Sequence, residues 1–445
     1  MIEVTDEKDL YLADFEQFEG AQAQKSPAWM RSIRRSAMER FTSLGFPTIH
    51  DEEWRFTSVA ALAKIPFQPL GAQPSQLAAG TLDLFKIRNW AGHLMVFVNG
   101  HFSRGLSSIQ NLPSGVRLLS LASALENDPE ILASHLGRYA SYQEHAFKAL
   151  NTGFIEDGAF IVVPKDVVVE LPIHLLVLST DIGRPLVSHP RNLIVVGPNS
   201  QVSIVESYAG AGEQVYFTNA VTEVVLNDNA IVDHYRLQRE SLCSFHFSTL
   251  QVQQGRSSSF STHSIALGGS LARNDVNTIL NGEGAEAILD GLYVVSGQQH
   301  VDNHTRIDHA KPHCSSRELY KGVLDEKARG VFNGRIIVRP DAQKTDSKQT
   351  NKNLLLSEEA LANTNPQLEI YADDVKCTHG ATIGQLSADA LFYLRARGIG
   401  LETARNLLTY AFANEITNRI RIEPLREELE KLLFSRLPAD EKVSL

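Results

Sequence analysis

Residues 221–267 read VTEVVLNDNAIVDHYRLQRESLCSFHFSTLQVQQGRSSSFSTHSIAL and alternate strand-like segments with turns. The segments 221–226, 231–237, 245–252 and 260–267 are rich in β-branched and aromatic residues. Asn, Asp, Gly and Ser separate them, which is typical of turns between strands. This stretch therefore predicts a series of short β-strands.

Segments of the same kind extend from about Phe154 to residue 383. They lie at 161–163, 167–171, 175–178, 193–196, 202–208, 276–280, 285–295, 319–324, 331–338, 353–356 and 368–375. Their starts are mostly about 10–15 residues apart, and no long helical pattern interrupts them. A β-sandwich or barrel and a right-handed parallel β-helix both fit this spacing. Few two-residue Asn-Gly or Asp-Gly hairpin turns occur, which favours the β-helix, although no exact repeat is visible.

The first 150 residues mix helix and strand. Ser26 and Pro27 predict the start of a helix that ends at Gly45. A strand is predicted at 94–98 and another helix after the Asp128-Pro129 dipeptide. The arginines of the first helix are interpreted as a solvated face; they are Arg31, Arg34, Arg35 and Arg40.

After Gly384 the hydrophobic period becomes helical. Ser387 predicts the start of one helix, 403–418 a second, and Pro424 a third. Their apolar positions include Leu407, Phe412, Ile416, Leu425 and Leu429. Two compatible interpretations are a helical cap that shields the last coil of a solenoid and a module that docks a partner.

Composition excludes several classes of protein. The 445 residues carry a formal net charge of −10, which argues against a broad nucleic-acid-binding surface. Three cysteines, Cys243, Cys314 and Cys377, cannot form a disulfide framework and suit a reducing compartment. The acidic N-terminus lacks the apolar segment of a signal peptide, and no apolar run reaches the ~18 residues of a membrane helix. We therefore predict a cytoplasmic protein.

Common catalytic motifs are absent from the sequence. The chain has no Gly-Lys dipeptide, which excludes the usual P-loop, and no Gly-x-Ser-x-Gly, His-Glu-x-x-His or Cys-x-x-Cys motif. The residues between Gly282 and Ala287 match a dinucleotide fingerprint only loosely and open no helix. No catalytic residue is predicted, and the chain is not expected to be an enzyme by itself.

Two clusters carry residues that can bind metal. The first consists of His300, Asp302, His304, Asp308, His309, His313 and Cys314. It meets no closed zinc-site spacing, so polar solenoid turns are the favoured interpretation. The second is Cys377 and His379, whose two-residue spacing places both side chains on one face of a strand. A thiolate beside an imidazole is a plausible iron or sulfur handle, and Lys376 and His379 would lower the thiol pKa. A lone Cys in a strand is, however, commonly a small buried apolar residue.

The run 366–384, PQLEIYADDVKCTHGATIG, resembles the signature of the SufB/SufD family of iron–sulfur cluster assembly proteins. Other matching elements, in the family's order, are Glu53-Trp-Arg-Phe-Thr57, Phe332-Asn-Gly334, Lys344-Thr-Asp346, Thr350-Asn351, the run 353–356, Phe392-Tyr-Leu-Arg-Ala-Arg-Gly398 and Ala404-Arg405. The resemblance covers most of the chain and is densest from 329 to 421. The short length, the few cysteines and the Lys-Cys-Thr-His-Gly form at 376–380 are similar to the SufD branch.

The resemblance implies a right-handed parallel β-helix with helical regions at both ends. We accordingly predict an N-terminal, mostly helical α/β region at 1–153, the β-helix core at 154–383 and a C-terminal helical domain at 384–445. The implied partners are SufB, which would pair with the last coils near 331–380, and the ATPase SufC, which would bind the helices from about 387 to 437. Nucleotide chemistry would then belong to SufC, in agreement with the missing P-loop.

The resemblance also implies a transient iron–sulfur cluster at the SufB–SufD interface. His379 matches the histidine that the family contributes there, and Cys377 lies at the same interface. Two alternatives stay open: a SufB-like homodimer that carries the cluster itself, and a β-helical carbohydrate-active enzyme. The second is disfavoured because Asp302 and Asp308 are not an obvious acid/base pair.

Overall fold

Two long parallel sheets form the centre of the protein. A computed structural model describes residues 7–71, 77, 80–210 and 212–436. With strands numbered in chain order, sheet A contains β1 (Gln68–Pro69), β4 (Arg117–Ser120), β5 (Ala159–Val163), β7 (Leu186–Ser188), β8 (Arg191–Val196), β10 (Tyr216–Leu226), β12 (Phe245–Gln254), β14 (Leu271–Leu280), β16 (His300–His309), β18 (Arg329–Val338) and β20 (Leu361–Ile370). Sheet B contains β2 (His93–Val98), β3 (His101–Phe102), β6 (Ile173–Ser179), β9 (Gln201–Gly210), β11 (Ile231–Arg239), β13 (Ser259–Ala266), β15 (Glu286–Val295), β17 (Ser315–Leu324), β19 (Asp346–Leu355) and β21 (Lys376–Gly384).

From β8 onward, successive strands alternate between the two sheets. Before that point, β7 and β8 both join sheet A. Each strand pairs in parallel with the strand two places along the chain, as β17 does with β19 and β18 with β20. This connectivity is that of a β-solenoid of about eight turns. The β-helix prediction is confirmed, and the sandwich alternative is wrong because its sheets would be antiparallel.

One corner of the solenoid repeats in conformation although not in sequence. The corner residue of each coil has a positive φ between 54° and 71°; these residues are Asp166, Asn199, Asn229, Ser257, Gly284, His313 and Lys344. They lie 27–33 residues apart. Each donates its backbone N–H to a carbonyl at the same corner of the next coil, as His313 does to Gln343 at 2.9 Å. Because seven positions use six residue types, the repeat is invisible to a search for identical residues.

The space between the sheets is the main core. Its apolar part includes Ile204, Val232, Phe260, Ile307 and Phe332, each fully buried. Polar side chains also face inward, and many of them are hydrogen-bonded there: Glu206, for example, accepts from Thr222 Oγ1 at 2.8 Å. We call the side of each sheet that faces this core its inner face.

The N-terminal region packs on the outer face of sheet A. Its helices are α1 (Glu7–Gln22), α2 (Ala28–Leu44), α3 (Ala60–Ala63), α4 (Leu121–Asn127), α5 (Pro129–His135) and α6 (Ala146–Gly153). Phe147 of α6 meets Phe247 of β12 with ring centroids 4.3 Å apart. The guanidinium of Arg273 lies 3.8 Å from the ring centre of Trp54, and Thr57 Oγ1 donates to Asp302 at 2.6 Å. The Glu53–Thr57 element thus fastens this region to the solenoid.

The predicted strand at 94–98 and the helix after Asp128 are confirmed as β2 and α5. The capping prediction at Ser26 is wrong. Pro27 occupies the cap position of α2, and Ser26 Oγ instead accepts a hydrogen bond from Arg34 at 2.8 Å. Arg34 is also not on a solvated face: it is buried and donates to the carbonyl of Ile155. A buried guanidinium is tolerated because these acceptors, with Glu19 at 3.6 Å, satisfy it.

Three helices follow the solenoid: α7 (Ala388–Ala396), α8 (Leu401–Thr417) and α9 (Glu423–Arg436). Ser387 caps α7 by accepting from the N–H of Ala390, as predicted. Helices α8 and α9 pack on the outer face of sheet B rather than over the end of the last coil, so the interpretation as an end cap is wrong. Ile416, Leu425 and Leu429 are buried there.

Charged pairs hold these helices in place, for example Arg419 with Asp290 at 2.9 Å. Within the described ranges no helix is long and apolar enough to cross a membrane. Residues 1–6, on which the predicted absence of an export signal rests, and 437–445, the end of the predicted C-terminal domain, lie outside the described residues.

Candidate functional site

The last coil of the solenoid is open at its end. In the described part of the chain, β20 pairs with β18 alone and β21 with β19 alone, so each leaves one edge without a strand partner. Large apolar side chains are exposed on or beside these two strands; they are Leu361, Ile370, Tyr371 and Ile383. An unpaired edge with exposed apolar residues is a surface on which another chain can add strands.

Cys377 and His379 lie on this terminal strand. They pair in register with Ser347 and Gln349 of β19, which are both 1% exposed. Because residues opposite each other in a parallel pair project to the same side, Cys377 and His379 belong to the inner face. The predicted common face is therefore confirmed. Cys377 is half-buried against the core, and His379 is exposed.

The electrostatic prediction for Cys377 is wrong in direction. Burial raises the pKa of its thiol, and the carboxylate of Asp346 adds to the effect. Lys376 cannot compensate, because the alternation of the strand places it opposite Asp346, on the outer face. The thiol is consequently protonated at neutral pH in the isolated chain, and it must lose a proton to bind metal.

Cys377 and His379 form an incomplete ligand set. Throughout the described ranges, no group of three or more His, Cys, Asp or Glu side chains is placed to hold a metal ion. The pair joins a soft sulfur to an imidazole nitrogen, a combination suited to iron. Any metal held here needs further ligands from another molecule.

Two rows of buried polar side chains lead inward from this pair. Behind Cys377 are Ser347 and Ser316, whose Oγ atoms are 2.7 Å apart, and Ser316 Oγ lies 2.9 Å from His309 Nε2. The second row, on the strands next to His379, consists of Gln349 and Glu318. Gln349 Nε2 donates to Glu318 Oε2 at 2.7 Å. Sequence reasoning missed both rows, although their spacing of about one coil is a signal that could have found them.

The first histidine cluster does not assemble into one site. His300 and His304 lie on the outer face of sheet A, His309 faces inward, His313 is a corner residue, and Cys314 donates to the carbonyl of Gly282 at 3.3 Å.

The carboxylates of that cluster are committed to ion pairs. Asp302 pairs with Arg273 and His304, each at 3.0 Å. Burial alone would raise the pKa of Asp302, but the neighbouring His304 and Arg273 and the hydrogen bond from Thr57 hold it well below its usual value. Asp308 pairs with Arg339 at 2.8 Å. Both carboxylates therefore have structural partners, and neither is placed as a free acid or base.

Helix α7 presents a second exposed apolar surface. None of its residues is buried. Phe392 is 75% exposed and Tyr393 56%, and Leu407 of α8 is also exposed. The buried positions of α8 and α9 are already used against sheet B, so these three residues, with Leu401 of α8 and Phe434 of α9, are the large apolar side chains that the C-terminal helices expose.

Comparison with known proteins gives a consistent result along the chain. The family model for the SUF system FeS cluster assembly SufBD core domain matches residues 178–412, and the model for the SufBD protein N-terminal region matches residues 5–175. An iron–sulfur cluster assembly SufBD family protein of Synechocystis is 37% identical over 411 residues, which cover 91% of this chain and 90% of that protein.

Two relatives carry the name iron–sulfur cluster assembly protein SufD. The one from Escherichia coli is 30% identical over 425 residues, or 95% of each chain. The one from Bacillus subtilis is 28% identical over 422 residues, which cover 92% of this chain and 94% of that protein.

Proposed function

The chain belongs to the SufBD family of iron–sulfur cluster assembly proteins, and we propose that it serves there as a SufD-type scaffold subunit. In this proposal it pairs with SufB, docks the ATPase SufC, and contributes to a nascent cluster at the interface with SufB. The observation that carries the proposal is the position of Cys377 and His379 on the inner face of an open terminal strand.

The pairing with SufB uses the free edges of β20 and β21. Strand addition by a second chain would satisfy their unpaired backbone groups and cover the apolar residues exposed beside them. It would also bring the partner's side chains to Cys377 and His379. An incomplete ligand pair is thereby useful, because two chains together complete the set.

The cluster is cargo and not a resident cofactor. His379 supplies a neutral imidazole, which releases iron more readily than an all-thiolate set does. Three roles stay open for Cys377: a second ligand, a sulfur acceptor or only a residue of the interface. Transfer to an acceptor requires such exchangeable ligands. We propose no catalytic residue in this chain, and we place it in the reducing environment of the cytoplasm.

The docking of SufC uses α7 and the exposed side of α8. Phe392, Tyr393 and Leu407 support this assignment, since all three are large apolar side chains that are exposed in the described chain. Ile416, Leu425 and Leu429 are excluded as contacts because they pack on sheet B. Nucleotide hydrolysis belongs to SufC in this arrangement.

Co-expression of the full chain with SufB and SufC tests the proposal. We expect the three proteins to co-purify and the complex to acquire an iron–sulfur cluster on anaerobic reconstitution. The isolated chain should reconstitute poorly. A stable cluster at high occupancy in the isolated chain would contradict the scaffold role and favour a homodimer that carries the cluster itself.

A further inference from the structure

We propose that Gln349, held in place by Glu318, is a positioning residue for His379. In this proposal the ring of His379 turns inward, its N–H donates to the unpaired amide oxygen of Gln349, and the other ring nitrogen is left for iron. The inference rests on the proposed function in one respect, namely that His379 is an iron ligand.

The first step is alignment. Glu318, Gln349 and His379 are directly opposite one another on β17, β19 and β21. All three project to the inner face, where Glu318 is 3% and Gln349 1% exposed. Neighbouring strands are about 4.8 Å apart, so an imidazole that turns inward at position 379 can reach the Gln349 amide.

The second step is the direction of the amide. Gln349 Nε2 donates to Glu318 Oε2 at 2.7 Å, which turns the nitrogen toward β17. A carboxamide carries its oxygen on the other branch of its terminal carbon, so Oε1 is turned away from Glu318 on β17, and β21 is the strand on the other side of β19. That oxygen is buried and has no hydrogen-bond partner in the described structure. Buried acceptors are seldom left unpaired, and the ring N–H of His379 is a donor on the correct side.

The third step is space. Gly334 on β18 lies across the core from Gln349, and a Cβ at that position would be 2.3 Å from Gln349 Nε2. The same Cβ would be 2.7 Å from Phe332 Cζ, so a side chain there would force the amide, the Phe332 ring or both to shift. The glycine of the Phe332-Asn-Gly334 element is therefore required for the amide to lie where it does.

The anchor works in both protonation states of Glu318. Burial raises the pKa of this carboxyl to about 7, so both forms are populated near neutrality. A carboxylate accepts a hydrogen bond from Gln349 Nε2, and so does the carbonyl oxygen of the neutral acid. The orientation of the amide is thus maintained across the physiological range.

The chemical role of Gln349 in this proposal is to fix the tautomer and the orientation of the His379 imidazole. Histidines that bind metal commonly donate their second N–H to an acceptor, which fixes the tautomer and the orientation of the ring. Without such an acceptor an exposed imidazole samples both tautomers and several rotamers. Gln349 would restrict His379 before any metal arrives.

The test is ¹⁵N NMR of the histidine ring nitrogens in the isolated full-length chain, with His379→Gln to assign the signal. It needs no metal. In Gln349→Met, which keeps the shape but removes the acceptor, the ratio of the two His379 tautomers should change about fivefold, as expected for one net hydrogen bond. Glu318→Gln should retain the wild-type ratio because it still accepts from the Gln349 amide. Asn351→Ser, at the next inner-face position of β19, is the matched control and should also retain it.

An unchanged ratio in Gln349→Met would overturn the proposal. If that variant does not fold, Gly334→Ala replaces it: displacement of the amide must change the ratio, and an unchanged ratio again overturns the proposal. The proposed function fails separately, if His379→Ala has no effect on cluster formation in the complex with SufB and SufC while the tautomer result stands.

Discussion

Cys377 lies directly opposite Ser347 in the parallel register of β19 and β21. Ser347 is enclosed by the core, whereas no strand of the described chain lies on the other side of Cys377. Positions on the inner face are therefore buried in the preceding coil but accessible to another molecule in the last coil. Cys377 and His379 therefore have the alignment of core residues and the accessibility of a binding site.

Replacement of the proposed imidazole ligand should impair assembly without disrupting the complex. We expect His379→Ala to co-purify with SufB and SufC in normal amounts and to lower cluster content by roughly tenfold. Iron and acid-labile sulfide per complex are the measurements. His50→Ala, at an exposed histidine outside the strands of the solenoid, is the control. Normal cluster content in His379→Ala would remove the ligand role.

Replacement of the neighbouring thiol should have a similar or a weaker effect. Cys377→Ala removes a half-buried thiol whose pKa is raised. The loss of cluster content therefore depends on whether assembly of the complex lowers that pKa enough to form the thiolate. The measurement is the alkylation rate of Cys377 at pH 7, with Cys243→Ser as background. We expect slow alkylation in the isolated chain, compared with exposed Cys243. Fast alkylation there would contradict the raised pKa.

A charge placed on α7 should release the ATPase subunit. We expect Phe392→Asp to abolish co-purification of SufC, because a carboxylate cannot be buried in an apolar interface without a partner. Phe392 is not buried within its own chain, so the Phe392→Asp variant should keep the fold. Leu84→Asp, at an equally exposed apolar residue of the N-terminal region, should bind SufC normally. Retention of SufC by Phe392→Asp would place the docking surface elsewhere.

Loss of one hydroxyl should loosen the N-terminal region. Thr57→Val removes the hydrogen bond to buried Asp302 and should lower the free energy of unfolding by about 1.5–3 kcal/mol, the usual range for a bond to a charged group. Thr48→Val removes two exposed bonds of the hydroxyl, one donated to Asp51 and one accepted from the N–H of His50, and should change stability by less than about 0.5 kcal/mol. Urea titrations of both variants measure the difference, and equal stabilities would contradict the role of the Glu53–Thr57 element.

Glu318 should make stability depend on pH. Its carboxyl loses a proton near pH 4.5 when unfolded and at about 7 when folded. The folded chain binds more protons between these values, so the free energy of unfolding falls as pH rises through this window. Between pH 5 and 7 the contribution is about 2 kcal/mol.

Glu318→Gln should remove that part of the fall, measured by urea unfolding at the two pH values. Glu359→Gln, at an exposed carboxylate, should follow the wild type. An unaltered pH profile in Glu318→Gln would show that the carboxyl titrates near its ordinary value.

The strands of the solenoid could be predicted from the sequence because each is a run of β-branched and aromatic residues between turn formers. The coil repeat could not, since it resides in the φ angle of corner residues as different as His313 and Lys344. The burial of Arg34 could not be predicted from the sequence either, because the carbonyl that accepts its hydrogen bond, at Ile155, is distant in the sequence.

For the site, a two-residue spacing sufficed to place Cys377 and His379 on one face. It could not show which face was inner, and this decides the sign of the thiol pKa shift. The roles of Gln349 and Glu318 depend on pairing across coils, which local patterns do not contain. The side of the solenoid chosen by α8 depends on charges such as Asp290, whose partner Arg419 is more than a hundred residues away.

The strands β14 to β20 are all 10 residues long, although the coils themselves differ in length. The connectors absorb the whole difference. An insertion in a connector therefore leaves every side chain on its own face, whereas one extra residue inside β19 would turn Gln349 outward and move Cys377 and His379 out of line with the coil beneath. Related chains can thus differ in the length of their connectors, whereas the two-residue alternation of inner-face and outer-face side chains must be kept in the strands.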